Sequence, residues 1–456
     1  MKVWSGRFSS RPAELMERFS RSIEIDGQMW REDIAVNRAW TKALRGARLL
    51  TASEEAKIQR GLHAIEKEFR TERFAFLPED EDIHVAIERR LTELIGATGA
   101  KIHTGRSRND QVVTDFRLYL KRRVAELQSA LCALVAVLVE RAEASQEIIL
   151  PSYTHTQQAQ PIRLAHYLLS LIFAMQRHNE QLQQFTERID ELPLGSGAVA
   201  GTAFPIDRKK LAQTLGFRRV MQNSIDATGT RSFCGEIIFI CSDIGVTLSR
   251  YAHDFILWST QEFGFIDPGE KFATGSSMMP NKKNPDAFEL VRGKAGTLLG
   301  LLTGIMSLQK GIPATYSRDL QEDKKPVFEA LQNAEDCLQV FAGAVRTCRF
   351  RVERMNAALD SALFATDVAD YLVRKGVPFR KAHELVARAV QHAERSALPL
   401  RELPLTFWRA LHPAFDDELS SCFQAETSVE RRNALAGTSL RQVQAQIRQA
   451  QKWLAA

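Results

Sequence analysis

The stretch RSRNDQVVTDFRLYLKRRVAELQSALCALVAVLVERAEASQEIIL, residues 106–150, contains neither glycine nor proline. Apolar side chains recur in it at alternating spacings of four and three residues, at Leu120, Val124, Leu127, Leu131, Leu134 and Leu138. That periodicity predicts one continuous helix whose apolar stripe is buried against other long helices. At about 1.5 Å per residue such a helix extends beyond about 60 Å, so one small domain cannot cover its stripe.

Four further segments repeat this helical pattern. The first follows Pro161, runs to Leu192 and carries its stripe at Leu168, Leu171, Met175, His178, Leu182, Phe185 and Ile189. The others span about 231–263, 286–308 and 327–360, and the middle one bears Gly293, Gly296, Gly300 and Gly304 on or near one face. Strand-like alternation is limited to residues 198–204. The sequence therefore predicts an all-α fold with a central bundle of about five long helices.

Two regions of shorter helices flank this bundle. Residues 1–105 and 361–456 are interrupted repeatedly by glycine or proline, whereas residues 106–360 hold the long helices. We therefore predict an N-terminal helical domain, a central bundle domain and a small C-terminal helical domain with these boundaries. Five stripes of this length expose more apolar surface than one chain covers, so identical subunits are predicted to complete the bundle.

Composition excludes several classes of protein. The 456 residues are 45% apolar and 25% charged, which is typical of a soluble globular protein. The formal net charge of +6 suits a basic pocket for an acidic substrate, and no basic cluster interleaved with aromatics indicates nucleic-acid binding. The six cysteines form no CxxC pair, and the sequence shows neither a signal-peptide pattern nor about twenty unbroken apolar residues. We expect a cytoplasmic protein that binds no nucleic acid and spans no membrane.

Four polar islands lie at the predicted ends of the long helices, where free backbone groups can bind ligands. The first, residues 101–110, carries two arginines, two hydroxyls and an amide, which together suit a carboxylate. A helix start capped by Ser107 or Asn109 is the alternative interpretation. The second island, residues 152–161, places His155 among hydroxyls and amides, which suits proton transfer, with an inert loop histidine as the alternative. His178, on an apolar stripe, is predicted to be a core histidine.

The third island, residues 193–202, is a run of small residues. It lacks the lysine of a GxxxxGK[ST] phosphate loop, so we interpret it as a tight turn beneath another subunit's loop. The fourth island combines residues 274–294 with residues 316–324. Its glycine hinge, two serine hydroxyls, two lysines and proline-started helix predict an anion clamp with a candidate base. A solvent-exposed lysine loop is the alternative.

Five motifs in these islands resemble one known family. The GSSxMPxKxNP pattern, with Ser276 six residues before Lys282 and Glu289 seven after it, resembles the signature of the fumarase/aspartase superfamily. Within that superfamily the chain resembles the argininosuccinate lyases, through HTGRSRNDQ (103–111), SYTHTQQAQP (152–161), PLGSGAVAGT (193–202), GSSMMPNKKNPD (275–286) and YSRDLQEDK (316–324). The resemblance implies reversible β-elimination of argininosuccinate to L-arginine and fumarate, in arginine biosynthesis, with no metal or organic cofactor.

The resemblance also implies roles for individual residues. Ser276 would be the base that removes a proton next to a carboxylate, with Lys282 and Asn284 stabilising the enediolate intermediate. His155, oriented by Glu289, would assist proton transfer to the departing nitrogen or balance its charge. Contacts to the fumarate carboxylates are implied for Ser107, Asn109 and Thr154. Contacts to the amine are implied for Ser22, Asp26, Arg108, Tyr316, Gln321 and Lys324. Each site is implied to draw on three chains of a homotetramer.

The sequence departs from the family pattern in two places. Residues 35–40 replace a usual Gly-Ser and Ala-His, and residues 226–232 keep Arg231 but lack two acidic residues common beside it. Both lie away from the implied proton transfers but can alter the rim around the amine. Two alternatives therefore stay open, a related lyase that releases fumarate from another N-substituted aspartate and a structural protein of the crystallin type. Against the structural alternative, the chain retains all four catalytic candidates, His155, Ser276, Lys282 and Glu289.

Overall fold

The computed structural model describes residues 12–455, which are predominantly helical, as predicted. Residues 1–11, in which the sequence shows no signal-peptide pattern, lie outside the described residues. The helices are α1 (Glu14–Phe19), α2 (Ile23–Asp26), α3 (Trp30–Gly46), α4 (Ala52–Arg70), α5 (Ile83–Ile95), α6 (Arg108–Ala144), α7 (Leu164–Ile189), α8 (Arg208–Leu215), α9 (Ser224–Gly229), α10 (Ser232–Ser259), α11 (Asp286–Gln309), α12 (Lys324–Thr347), α13 (Val352–Ala357), α14 (Ala365–Arg374), α15 (Phe379–Arg395), α16 (Leu405–Leu411), α17 (Ala425–Arg431) and α18 (Leu440–Leu454). The strands are β1 (Ile149–Thr154), β2 (Gln157–Arg163), β3 (Glu191–Leu192), β4 (Arg219–Val220), β5 (Ile266–Asp267) and β6 (Arg349–Phe350). They pair as β1–β2 and β5–β6, both antiparallel, and as β3–β4, parallel.

The five long helices of the predicted bundle are all present. They are α6, α7, α10, α11 and α12, with 37, 26, 28, 24 and 24 residues. Every stripe residue predicted on α6 and α7 is buried, and each buried leucine or phenylalanine contributes about 1.5–3 kcal/mol. The His178 imidazole lies on that stripe with Nε2 2.9 Å from Thr247 Oγ1, so it is a core histidine, as predicted.

Four of the long helices end earlier than predicted, α7 and α10 by three or four residues and the other two by more. Helix α6 ends at Ala144 rather than near residue 150, because residues 149–154 pair with residues 157–163 in a hairpin. Pro151 also disfavours helical backbone at the residue before it. Helix α12 ends at Thr347 rather than near residue 360, because β6 pairs with β5. In both cases strand pairing replaces the predicted last turns of the helix.

The strand-like pattern predicted at residues 198–204 is wrong, and the longest strands form elsewhere in the chain. Residues 198–204 form turns and bends rather than a strand. Residues 149–163, which include the second polar island between two predicted long helices, contain the β1–β2 hairpin. This hairpin carries many glutamines and no turn glycine, so it lacks the apolar alternation and the Asn-Gly type of turn by which hairpins are recognised.

The chain divides into two compact units, each built from several segments. The first comprises the described residues up to 128 together with Glu180–Ser242 and Thr297–Ala334. Its core lies among α3, α4, α5 and α8, where Trp40 and Leu62 are completely buried. The Trp40 indole Nε1 also donates to the carbonyl of Thr104, 3.1 Å away, which fixes the segment that leads into α6.

The second unit comprises Ser129–Asn179, Asp243–Gly296 and the described residues from Glu335 onward. Its C-terminal part has a core of its own, built from α14, α15 and α16 and including the buried Trp408. The division into domains 1–105, 106–360 and 361–456 stays a prediction.

One described helix, α10, has the length and apolar composition of a membrane span. Within its apolar window, 61% is buried inside the fold. A mostly buried core helix of a water-soluble protein has the same length and composition. The expectation that the chain does not span a membrane stays a prediction.

Candidate active site

The first polar island forms the N-terminus of α6. The Ser107 Oγ accepts the N–H of Asn109 at 3.2 Å, and the Asp110 carboxylate accepts the N–H of Ser107 at 3.0 Å. These reciprocal bonds cap the helix, so the alternative interpretation of Ser107 as a cap is correct. The side chains of Ser107, Arg108 and Asn109 stay half-exposed at a helix end that favours anions. Capping and carboxylate binding are therefore compatible at this position.

The third island is held against the same helix end. The second carboxylate oxygen of Asp110 accepts the N–H groups of Gly195 and Gly197, at 2.9 and 2.8 Å. Gly197 has φ of +60°, and a Cβ there would lie 2.6 Å from the carbonyl oxygen of Gly201. The segment is thus a tight turn, as predicted, and its placement beneath another subunit's loop stays a prediction. Burial raises the pKa of Asp110 to about 6, although the backbone donors oppose the shift.

Behind this helix end lies a buried charged cluster that the sequence did not reveal. The His84 Nδ1 lies 2.7 Å from the Asp33 carboxylate and 3.1 Å from that of Asp115, and all three side chains are at most 1% exposed. The Gln111 amide joins the cluster to the site, because it donates to Asp33 at 2.6 Å and accepts from Arg108 at 2.7 Å.

The charges of this cluster follow from its geometry. Burial alone would lower the pKa of His84, but the charges of Asp33 and Asp82 and the hydrogen-bonding carboxylates of Asp115 and Asp33 outweigh it and raise that pKa to about 10. The pKa of Asp33 is lowered by the imidazolium against its burial, whereas burial raises the pKa of Asp115 well above its usual range. A charged His84 therefore faces one ionised carboxylate and one protonated one. Separation along the sequence hid this cluster, because Asp33, His84 and Asp115 lie on three different helices and no spacing pattern marks them.

Asp33, His84 and Asp115 are also the one group among residues 12–455 that brings three potential metal ligands within 4.8 Å of one another. The Nδ1 atom that would bind a metal instead donates towards both carboxylates. Metals bind the neutral imidazole. A metal ion here would therefore have to displace the Nδ1 proton that lies between the two carboxylates.

Stability should fall with rising pH because of His84. Its pKa is raised from 6.5 to about 10 on folding, so its stabilising charge is fully present below pH 6.5 and is lost as pH approaches 10. We expect the free energy of unfolding to fall by up to about 5 kcal/mol across that window. Urea unfolding between pH 6 and 10 measures this loss, and His84→Gln should flatten the curve. Equal slopes in both proteins would contradict the assignment.

Ser22 and Asp26 form a buried hydrogen-bonded pair elsewhere in the first unit. The Ser22 hydroxyl donates to the Asp26 carboxylate at 2.6 Å, and the N–H of Ile83 donates to its other oxygen at 3.0 Å. Burial raises the pKa of Asp26 to about 6. The predicted amine ligand Gln321 donates to the carbonyl of Ser20 at 3.0 Å, so in this structure it supports the Ser22 segment.

The remaining predicted amine ligands lie where α12 begins. The Lys324 ammonium donates to Asp323 at 2.9 Å, and the Arg231 guanidinium donates to the other oxygen of that carboxylate at 2.5 Å. All three side chains are at most 5% exposed, so the carboxylate holds both cations in place. Tyr316 is half-buried, and burial raises its pKa. Asp323 had not been identified as a site residue from the sequence.

In the second unit, the second island forms the tip of the β1–β2 hairpin. Thr154 pairs with Gln157, so His155 and Thr156 alone make the turn. Both have left-handed backbone, with φ of +53° and +59°, as a type I′ turn requires. Glycine and asparagine adopt this conformation readily, whereas a β-branched threonine is strained in it. The strained turn presents the His155 imidazole as an exposed side chain at the end of the hairpin.

The base of this hairpin is anchored by Arg163, which is fully buried. Its guanidinium binds Glu426, and also Glu430 at 2.8 Å and Glu147 at 3.5 Å. Its backbone N–H donates to Thr438 Oγ1 at 2.8 Å. The hairpin that carries Thr154 and His155 is therefore attached to the C-terminal helices.

Residues 274–284, here termed the serine loop, contain the predicted base. The Ser276 Oγ accepts the N–H groups of Met278 and Met279, at 3.2 and 3.0 Å. The loop closes at its base, where Thr274 and Asn284 exchange backbone hydrogen bonds of 3.3 and 2.8 Å. Two N–H donors on one hydroxyl oxygen favour its anionic form.

The other catalytic candidates of the second unit are exposed. The ammonium of Lys282 and the carboxylate of Glu289, in the first turn of α11, face solvent. Among the residues that the structure describes, none forms a hydrogen bond or ion pair with the side chain of His155, Lys282 or Glu289. The predicted orientation of His155 by Glu289 is absent within one chain and stays a prediction for an assembly.

Comparison with known sequences places the chain among lyases. A family model described as Lyase matches residues 6–300, and one described as Argininosuccinate lyase C-terminal matches residues 362–430. The argininosuccinate lyase of Roseiflexus castenholzii is 47% identical over 452 residues, which cover 99% of both chains. That of Moorella thermoacetica is 44% identical over 456 residues, 100% of this chain and 98% of that one. That of Thermus thermophilus is 43% identical and covers 99% of this chain and 98% of that one.

Solved structures share the fold. An EDDS lyase variant with bound fumarate has a TM-score of 0.84 at 27% identity, covering 98% of this chain and 91% of that one. A class II fumarase from Schistosoma mansoni has a TM-score of 0.75 at 16% identity, covering 87% of this chain and 90% of that one. The second likeness concerns the fold alone.

Proposed function

The chain belongs to the argininosuccinate lyase family, and from that membership we infer that it catalyses the reversible β-elimination of argininosuccinate to L-arginine and fumarate, as a carbon–nitrogen lyase of arginine biosynthesis. The observation that carries this proposal is similarity of 42–47% identity over nearly the whole chain, including a C-terminal family match. The fumarate bound in the related EDDS lyase variant supports a succinyl group as the part of the substrate that is cleaved.

Ser276 acts as the base in this proposal. The reaction requires removal of a weakly acidic proton next to a carboxylate, and an ordinary serine hydroxyl is too weak a base for that step. The two N–H donors from Met278 and Met279 stabilise its alkoxide. Closure of the serine loop over the substrate excludes water and strengthens every charge interaction in the site.

Removal of that proton leaves an enediolate with two negative charges on the carboxylate side. Lys282 and Asn284 stabilise it, and a single such donor typically contributes about 10²- to 10³-fold in rate. His155, held by Glu289, then assists proton transfer to the departing nitrogen or balances its charge. Neither His155 nor Glu289 has a side-chain partner within the described part of one chain, which leaves both free to meet in an assembly.

Most of the groups that recognise the ends of the substrate come from the first unit. Ser107 and Asn109, at the N-terminus of α6, bind fumarate carboxylates, as does Thr154 of the hairpin. Contacts to the amine side, which is the arginine part of the substrate, come from Ser22, Asp26, Arg108, Tyr316, Gln321 and Lys324. The buried Asp26 carboxylate suits a cationic leaving group, whereas the buried Lys324 suits the carboxylate of the arginine product.

A homotetramer with shared sites accounts for the exposed face of α11. Gly293, Gly296, Gly300 and Gly304 have open space where a Cβ would lie, so another helix can approach closely there. Leu290, Leu299 and Met306 on the same helix are 47–64% exposed, although large apolar side chains are normally covered. Identical subunits packed on this face bury it and complete the bundle.

A cytoplasmic location is part of the same proposal. The six cysteines are all free thiols, and five of them are buried. Burial raises the pKa of the Cys241 thiol to about 12 and that of Cys348 to about 11, so both stay protonated and unreactive at neutral pH. Such cysteines suit a reducing compartment.

The substrate is tested by fumarate release in parallel assays. We expect an increase in ultraviolet absorbance with argininosuccinate, and at least about tenfold lower kcat/KM with adenylosuccinate, aspartate and malate, because their leaving groups lack the guanidinium that the amine-side residues recognise. Chromatographic detection of arginine in equal amount to fumarate is the control. Turnover of another N-substituted aspartate without turnover of argininosuccinate would replace the proposed substrate.

A further inference from the structure

The serine loop has almost no polar connection to the rest of its unit. Its hydrogen bonds run between residues 274 and 286, including those of Ser276 and the bridge between Thr274 and Asn284. At the base of the loop, Thr274 donates twice to the Asp286 carboxylate at the start of α11. Among the described residues, one further polar contact leaves the loop, because the Lys283 ammonium donates to the Asp267 carboxylate, 2.9 Å away. That side-chain pair is the link between the loop and strand β5.

Asp267 is a well-supported anchor for that pair. It lies in β5, where its backbone pairs with Arg349 of β6, and the N–H of Arg351 donates to the carbonyl of Phe265 at 2.8 Å. The guanidinium groups of Arg349 and Arg351 lie 3.4 and 3.7 Å from the same carboxylate. The anchor thus stays ionised and fixed in the β5–β6 ribbon, whereas the loop residues around Lys283 are exposed.

We propose that the Lys283–Asp267 ion pair is the tether that positions the serine loop for catalysis. This inference rests on the proposed function, in which Ser276 is the base. Among the described residues, the polar contact of the Lys283 side chain is with Asp267 and not with the side chain of a catalytic candidate, so Lys283 is a positioning residue. Its neighbour Lys282 has no ion-pair partner among the described residues. Of the two adjacent lysines, Lys283 therefore anchors the loop and Lys282 is left to stabilise the reaction intermediate.

The tether acts on the location of the loop. Without it, the Ser276 hydrogen bonds and the bridge at the base of the loop can still form, because none of them involves the Lys283 side chain, but they open more often as the loop moves. The loop then samples positions in which Ser276 is displaced from the substrate. Misplacement lowers the fraction of bound substrate that reacts, so kcat falls while KM changes little.

Four variants test this in the full-length enzyme. Lys283→Met and Asp267→Asn are each expected to lower kcat about five- to tenfold, as loss of one half-exposed ion pair allows. The double variant should lose no more than either single one, because both remove the same contact. Lys283→Arg, which keeps the charge, should retain kcat within about twofold. The matched control is Lys271→Met, which removes an exposed lysine just before the loop. Within residues 12–455, Lys271 forms no ion pair.

Hydrogen exchange of the peptide that contains Met278 and Met279 gives a readout independent of the substrate. We expect the tether variants to exchange faster there, with melting temperatures within about 2 °C of the wild type, since surface changes cost little stability. Unchanged exchange and unchanged kcat, or a fully multiplicative loss in the double variant, would overturn the tether. Faster exchange in a protein that never cleaves argininosuccinate would leave the tether standing and refute the proposed function.

Discussion

Ser276→Ala is expected to lower kcat by about 10³-fold or more while substrate binding is largely retained. The proposed base is lost, and general-base catalysis typically contributes about 10²- to 10⁴-fold. Binding should survive because the carboxylate and amine contacts come from other residues. Single-turnover kinetics on argininosuccinate measure the chemical step, and titration of the inactive variant with substrate measures binding.

The neighbouring Ser277 offers a matched control for this experiment. It is an exposed hydroxyl in the same loop, whereas the Ser276 Oγ is the one that accepts two backbone N–H groups. Ser277→Ala should therefore keep kcat within about tenfold of the wild type, since a surface substitution away from the reacting atoms has a small effect. If the two variants lost activity equally, Ser276 would be part of the loop's structure and not its base.

Mixed tetramers of Ser276→Ala and His155→Asn are expected to regain about a quarter of the wild-type activity. Each variant alone is nearly inactive, because every site lacks one essential group. If a site takes Ser276 from one chain and His155 from another, random mixing gives each intact contribution a chance of about one half, hence about one quarter for both together. Coexpression with two different affinity tags, followed by tandem purification and the fumarate assay, measures the recovery.

The mixing experiment also distinguishes sites shared between chains from sites formed by one chain. If His155 and Ser276 served one site from the same chain, each mixed site would still lack one group and the recovered activity would be zero. The control is a mixture in which both changes are carried by a single variant and the partner is wild type. About a quarter of its sites should then pair two wild-type contributions, so it reports whether chains mix at random.

The sequence predicted the long helices because their evidence is local. The α6 stripe has apolar residues at six positions with helical spacing between residues 120 and 138, and burial of all six follows from that period alone. The helix ends were harder to predict. The end of α6 at Ala144 depends on pairing between β1 and β2, whose strands carry no apolar alternation. Pairing of this kind is decided by contacts that a single segment does not encode.

The candidate site was predictable where its residues follow one another in motifs. Ser107 to Asp110, Ser276 to Asn284 and Tyr316 to Lys324 are contiguous, so their chemistry can be interpreted directly from the sequence. The partners that fix them are distant in sequence. Asp33 and Asp115 surround His84 from separate helices, and Arg231 meets Asp323 across 92 residues. Such long-range ion pairs leave no periodic signal, which is why they were missed.

The turn at the tip of the β1–β2 hairpin also bears on how this enzyme could be made more robust. Asn-Gly at positions 155 and 156 would suit the left-handed backbone better, and relief of one strained residue is worth on the order of 1 kcal/mol or more. That exchange would remove the imidazole. Thermostability screens that ignore turnover should therefore favour changes here that inactivate the enzyme. Thr156 is the position where the turn can be made less strained while the His155 imidazole is kept.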